Sequence, residues 1–260
     1  MKKWMLPLAI GLALSTSALS TGVFAQAAPA AAAPAALPAS IAAAVADPAR
    51  AEDAQNDARR HGGAIVAFTE AKPGDTVIEL IPGGGYFTRI FSKTVGANGK
   101  VYAIWPTEYD ESTDKLQAIA DAYGNIEILK QPAAKLSVPA QADVVFTSQN
   151  YHDYPDKFMG PVDLASFNKQ VFAALKPGGV YVIVDHAAKT GSGLRDTETL
   201  HRIDPAIVKQ QVEAAGFEFA GESDVLHNAA DDHTLKVFDK SIRGKTDQFV
   251  YKFRKPRTAK

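Results

Sequence analysis

Three histidines, His152, His186 and His201, stand beside the carboxylates Asp153 and Asp185 in a chain that has no cysteine. Imidazole is the side chain whose charge changes near neutral pH, so each is a candidate to take a proton from a substrate. His152, His186, Asp185 and His201 are the expected catalytic set. Neutral imidazoles with a carboxylate also suit zinc or iron. Their spacing matches no recognised ligand motif, so a metal-dependent reading ranks last. The absence of cysteine removes disulfides, thiolate metal sites and cysteine nucleophiles.

A second chemical group is the run Val77-Ile-Glu-Leu-Ile-Pro-Gly-Gly-Gly-Tyr-Phe-Thr-Arg-Ile-Phe91. An apolar strand carries a carboxylate, Glu79, and runs into Gly83, Gly84 and Gly85. An amphipathic helix follows, with Phe87, Ile90 and Phe91 as its apolar positions. Strand, glycine turn and helix bring bare backbone N–H groups up to a nucleotide-like ligand. The dinucleotide pattern G-x-G-x-x-G is absent, because its third glycine would fall near Thr88.

The elements that must position these groups alternate. Expected strands are Thr76–Ile81, Lys100–Trp105, Asn125–Leu129, Ala142–Thr147 and Val180–Val184. Expected helices are Ala49–Thr69, the helix after the glycines, Glu111–Tyr123, Pro161–Leu175 and one opened by Asp204-Pro205. Phe217–Leu226 and Gln248–Phe253 close the chain as an antiparallel pair. The pattern predicts a three-layer, Rossmann-like α/β fold with a mostly parallel seven-stranded sheet and one antiparallel strand. In such a sheet, ligands sit beyond the carboxyl ends of the strands. Glu79, Trp105, Gln131, Asn150, His152, Asp185, His186 and His201 all fall there.

Several segments carry a resemblance. Glu79-x-x-Pro-Gly-Gly-Gly-Tyr, Asn150-Tyr-His-Asp153, Asp185-His186, Leu200-His-Arg-Ile-Asp204 and Gly244–Pro256 together resemble a family of exported bacterial predicted methyltransferases. That family lies in the class I S-adenosylmethionine-dependent superfamily. The glycine cluster is similar to its motif acid-x-G-x-G-x-G: Glu79, Gly83 and Gly85 match, Ile81 replaces the first glycine and Pro82 follows. The resemblance implies S-adenosylmethionine as cofactor. It implies Glu79, Gly83, Gly84, Gly85, Tyr86, Trp105, Gln131 and Asn150 as its contacts, and a small-molecule methyl acceptor. The superfamily's ribose-binding acid falls near Trp105, which could instead stack on the adenine. A non-catalytic binding protein on the same fold is the alternative.

The ends of the chain read differently. Met1-Lys-Lys, an apolar run from Trp4 to Ala18 and Val23-Phe-Ala25 form the pattern of a secretory signal peptide cleaved after Ala25. Residues 26–46 are almost only Ala and Pro and are expected to be a disordered spacer. One domain, 47–260, remains. Its location is expected to be periplasmic or secreted, with no stable membrane insertion after cleavage. The 28 Lys and Arg against 29 Asp and Glu leave no basic stripe except Lys252–Arg257, which argues against a nucleic-acid partner. Oligomeric state is left open. The long connection His227–Lys245 is expected to be an ordered lid, its polar residues Asn228, Asp231, Asp232 and His233 toward the ligand and its apolar end on the domain.

Overall fold

The computed structural model describes Met1, residues 36–160 and residues 162–258. The signal segment, the spacer to residue 35 and Pro161 lie outside the described residues apart from Met1. Seven strands form one sheet: β1 Thr76–Leu80, β2 Lys100–Pro106, β3 Ile126–Gln131, β4 Ala142–Ser148, β5 Leu175–His186, β6 Glu218–Glu222 and β7 Gln248–Arg254. Their order is β3-β2-β1-β4-β5-β7-β6. The β3, β2, β1, β4 and β5 neighbours pair in parallel, and β7 runs antiparallel to both β5 and β6. The expected architecture is therefore present.

Side-chain alternation along the strands divides the core in two. On one face Val77, Val101, Ala103, Val144, Phe146, Val182 and Val250 meet the helices α1 Ala39–Val45, α4 Gly62–Phe68, α5 Tyr86–Val95 and α6 Asp114–Tyr123. On the other, Ile78, Leu80, Ile104, Val145, Tyr181, Ile183 and Phe253 meet α7 Leu164–Ala174 and α9 Pro205–Ala214, which the one-turn helix α8 Thr197–Leu200 precedes. Each fully buried aliphatic side chain of this kind contributes about 1.5–3 kcal/mol relative to exposure. Asp163 and Asp204 cap α7 and α9 by accepting from Ala165 N and Ala206 N.

Four expectations are corrected. The spacer does not run to residue 46, because α1 buries Ile41 and Ala44 against the core; three or four alanines around one isoleucine suffice for an apolar face. The single helix 49–69 is broken into α2 Ala51–Ala54, α3 Asp57–Arg60 and α4. His61 turns left-handed with φ 47°, and a side chain at Gly62 would stand 2.4 Å from the Tyr86 hydroxyl. The helix before β3 starts at Asp114 rather than Glu111. The helix before β5 opens at Leu164, behind its Asp163 cap.

The connection from β6 to β7 is ordered, and Val237 of its apolar end is buried as expected, but its polar residues are engaged inside the protein. Arg202, fully buried, holds Asp231 through Nη2 at 2.9 and 3.1 Å, the Leu235 carbonyl through Nε and the Ala187 carbonyl through Nη1. Asp247 accepts from Asn228 N and bonds the rings of His227 and His233. The polar residues are spent bracing the segment, and it is Phe238, 53% exposed, that lies over the His201 ring at 5.0 Å.

Candidate functional site

Two constructions meet at the carboxyl edge of the sheet. The first is the turn between β1 and α5. Ile81 has φ 52°, a conformation costly for a β-branched residue, of the kind that stores about 1–3 kcal/mol of strain. Two bonds hold it: Ile81 N donates to the Ile104 carbonyl, and Asn150 Nδ2 donates to the Ile81 carbonyl at 3.1 Å. Gly83 (φ 55°) and Gly85 (φ 80°) continue the left-handed path. They differ in surroundings. A side chain at Gly83 would meet nothing within 4 Å, whereas one at Gly85 would lie 2.5 Å from Ile119 Cδ1. A side chain at Gly84 would meet only Lys115 Nζ, at 3.8 Å. Among the described residues no acceptor is bonded to the N–H of Gly83 or Gly84. The turn thus offers open backbone donors at the start of a ten-residue helix, the arrangement that suits an anionic group.

Glu79 lies beneath this turn. It is buried, accepts from Thr88 Oγ1 at 2.6 Å, and ties β1 to the first turn of α5. Burial pushes its carboxyl up to about 8, against the Thr88 bond and the nearby Arg60.

The second construction is the histidine cluster after β4 and β5. Asp185, fully buried, accepts from the His152 and His186 backbone N–H groups and pairs with His152 Nδ1 at 2.7 Å. The other face of that ring meets Asp153: His152 Nε2 lies 3.1 Å from Asp153 Oδ1, and His201 Nδ1 lies 3.8 Å from the same oxygen. Tyr109 donates its hydroxyl to Asp153 Oδ2 at 2.9 Å. Burial alone would push the His152 imidazole down, but Asp185 and Asp153 outweigh it and hold it up at about 10. His186 is pushed well below the ordinary histidine range by burial, with the charges of His152 and Arg202 adding to it; its Nδ1 bonds Thr246 Oγ1 at 2.8 Å. His201 is lowered more modestly, by burial and then by His152, with Asp153 opposing.

The expected site residues fall into three groups. His152, Asp185, His186 and His201 are gathered: the His152 ring lies 6.1 Å from that of His186 and 5.5 Å from that of His201. Gly83, Gly84 and Asn150 line or brace the turn, and Gln131 is buried at the end of β3 with its Nε2 unpartnered. Tyr86, Trp105 and Gly85 part from the expectation. The Tyr86 hydroxyl donates to Asp57 under Arg60, and Trp105 is packed into the helix-side core beside Tyr109, so neither ring is free to face a ligand. Gly85 is needed for packing on α6 rather than for approach from outside. Tyr109 and Thr246 went unseen in the sequence. Both sit in irregular connections, and no spacing rule joins either to a histidine far along the chain. A cavity of 590 Å³, lined by Phe172, Pro177, Phe217, Lys255 and Arg257, opens at the amino edge, away from both constructions.

No family model matches the chain. Solved structures do. An S-adenosylmethionine-dependent methyltransferase from Aquifex aeolicus is 19% identical over 80% of this chain and 98% of its own, with a TM-score of 0.56. The [4+2]-cyclase SpnF is 17% identical over 77% of this chain and 81% of its own, at 0.58. A protein from Bordetella parapertussis, described as a possible exported protein, is 18% identical over 76% and 67%, at 0.51. With the strand order and the single reversed strand, these likenesses give the chain the fold of the class I S-adenosylmethionine-dependent methyltransferases.

Proposed function

We propose that the protein is an S-adenosylmethionine-dependent methyltransferase acting on a small molecule. One observation carries this reading: the open backbone donors of Gly83 and Gly84 are tied through Asn150 to the histidine cluster at the same sheet edge. The residues fit the donor. The two N–H groups suit its carboxylate, and the unpartnered Gln131 Nε2 is a buried amide left for an adenine or ribose acceptor. When bound, the donor supplies an electrophilic methyl group. The chain's part is to hold donor and acceptor in line and to keep a polar group beside the acceptor's proton. His201, whose side chain is 23% exposed, lies against the exposed Phe238 ring. The rim here is apolar. Phe158, Leu194, Leu235 and Phe238 are exposed large side chains in connections at the carboxyl edge. An acceptor with an apolar body and one hydroxyl or amine fits both surroundings.

The reading includes export. Cleavage after Ala25 leaves a chain from Gln26, and among the described residues no helix is long and apolar enough to cross a membrane. N-terminal sequencing from the native host tests it, with Gln26 expected and an intact Met1 contradicting it. A donor would then have to be available outside the cytoplasm.

A second reading, a non-catalytic binding protein that kept the fold and took another ligand, is favoured by the end of β2. Trp105-Pro106 stand where the superfamily places a ribose-binding acid, and the nearest acid, Glu108, accepts from Ala133 N at 2.9 Å. Calorimetry separates the two: saturable binding of S-adenosylmethionine and of its demethylated product supports the first. Binding of neither removes it.

A further inference from the structure

We propose that His152, Asp153 and His201 bind one divalent transition-metal ion. The ligand atoms of these three residues all lie within 4.8 Å of one another. The hydrogen bonds assign the proton on His152. Its Nδ1 faces the buried carboxylate of Asp185 at 2.7 Å and therefore carries the hydrogen. The ring's other nitrogen, Nε2, lies 3.1 Å from Asp153 Oδ1, and a metal ion binding there would replace the proton that His152 holds between them. Two acceptors at that distance require a cation between them, a proton or a metal. His201 Nδ1 stands beside that pair as a third ligand atom, which a proton would not need and a metal ion would use. At 3.8 Å from the same oxygen it is too far for a hydrogen bond. Ligands about 2.1 Å from a tetrahedral zinc lie about 3.4 Å apart, so a small rotation of His201 completes the set.

The surroundings are those of a metal site. Asp185 fixes the tautomer and orientation of His152 from behind, as outer carboxylates do for metal-bound imidazoles. Tyr109 occupies Asp153 Oδ2 and leaves Oδ1 for the ion. Two imidazoles and one carboxylate leave coordination positions open, the donor set of catalytic zinc and non-haem iron centres. His186 is outside the group of ligand atoms that lie within 4.8 Å of one another. At this place an ion would polarise an oxygen of the substrate. The proposal does not depend on the methyl donor.

The test uses the untagged protein, stripped with a chelator and titrated with Zn²⁺ by calorimetry. The expected result is one Zn²⁺ per chain, and visible d–d bands when Co²⁺ replaces it. Asp153→Asn and His201→Ala should each weaken Zn²⁺ by at least about 10-fold with unchanged circular dichroism. His227→Ala, which alters the separate group on Asp247, should leave it unchanged. Absence of stoichiometric uptake overturns the proposal. So does uptake that survives in both cluster variants or is lost in His227→Ala. Because no donor is added, failure here leaves the methyltransferase reading standing.

Discussion

The glycine turn and the histidine cluster share one sheet edge and are built in opposite ways. The turn is backbone: left-handed residues, two free N–H groups and almost no side chain in the space it faces. The cluster is side chain: buried carboxylates and imidazoles that satisfy one another, with Asp185 taking three partners. A ligand can approach the first without displacing anything. The second is largely buried, and Phe238 lies over His201 at its exposed side. The difference suits a donor that is gripped through main chain and an acceptor that meets preset charges.

The comparison breaks first at the support of each half. Arg202→Met should cost about 3–5 kcal/mol in urea denaturation, because Asp231 is left buried without its cation. The same variant should open the 227–247 segment to proteolysis. A loss below about 1 kcal/mol would mean that the segment is held by other contacts.

The two outer glycines should separate binding from folding. Gly85→Val is expected to cost about 3 kcal/mol, combining overpacking against Ile119 with a left-handed φ. Gly83→Val meets no atom, so its stability loss should be about 1 kcal/mol, yet it should abolish donor binding by filling the open face of the turn. Equal donor affinity in Gly83→Val would mark the turn as structural only.

Asn150 is the bridge between the halves. Asn150→Ala should cost about 1–2 kcal/mol and weaken the donor, since it releases the strained Ile81 carbonyl. A thermal shift with unchanged donor affinity would detach the brace from the site.

Glu79 gives an effect that depends on pH and has a definite sign. Its carboxyl is raised in the folded chain to about 8 from an ordinary 4.5, so the folded state holds a proton that the unfolded state has lost. That stabilisation is full below about pH 4.5, falls as pH rises toward 8 at a slope on the order of 1 kcal/mol per pH unit, and is flat above. Glu79→Gln should remove this slope and be more stable than wild type at pH 9. Parallel melting curves for both proteins between pH 5 and 9 would show the carboxyl to be ordinary.

The turn was legible in the sequence and the cluster only partly. Three glycines between an apolar strand and an amphipathic helix are a local signal, and local signals survive in one dimension. The histidines were legible as a set because each follows a strand and parallel topology carries strand ends to one edge. Their partners were not: Tyr109 reaches Asp153 across 44 positions and Thr246 reaches His186 across 60. Tyr86 and Trp105 misled for a related reason. An aromatic next to a glycine turn or at a strand end is equally suited to stacking on a ligand and to filling the core. Here the helices α4 and α6 close over those two rings. The role of Asp231 in the lid was not legible, because its partner Arg202 lies on another element and draws it inward.

The central claim is that turn and cluster form one site. Histidine side-chain NMR tests it most directly, by titrating the demethylated donor product into protein with nitrogen-labelled histidine. The account predicts that the His152 and His201 ring signals shift in proportion to occupancy, while that of His61, outside the site, stays still. Saturable binding that leaves both cluster histidines unmoved would contradict it.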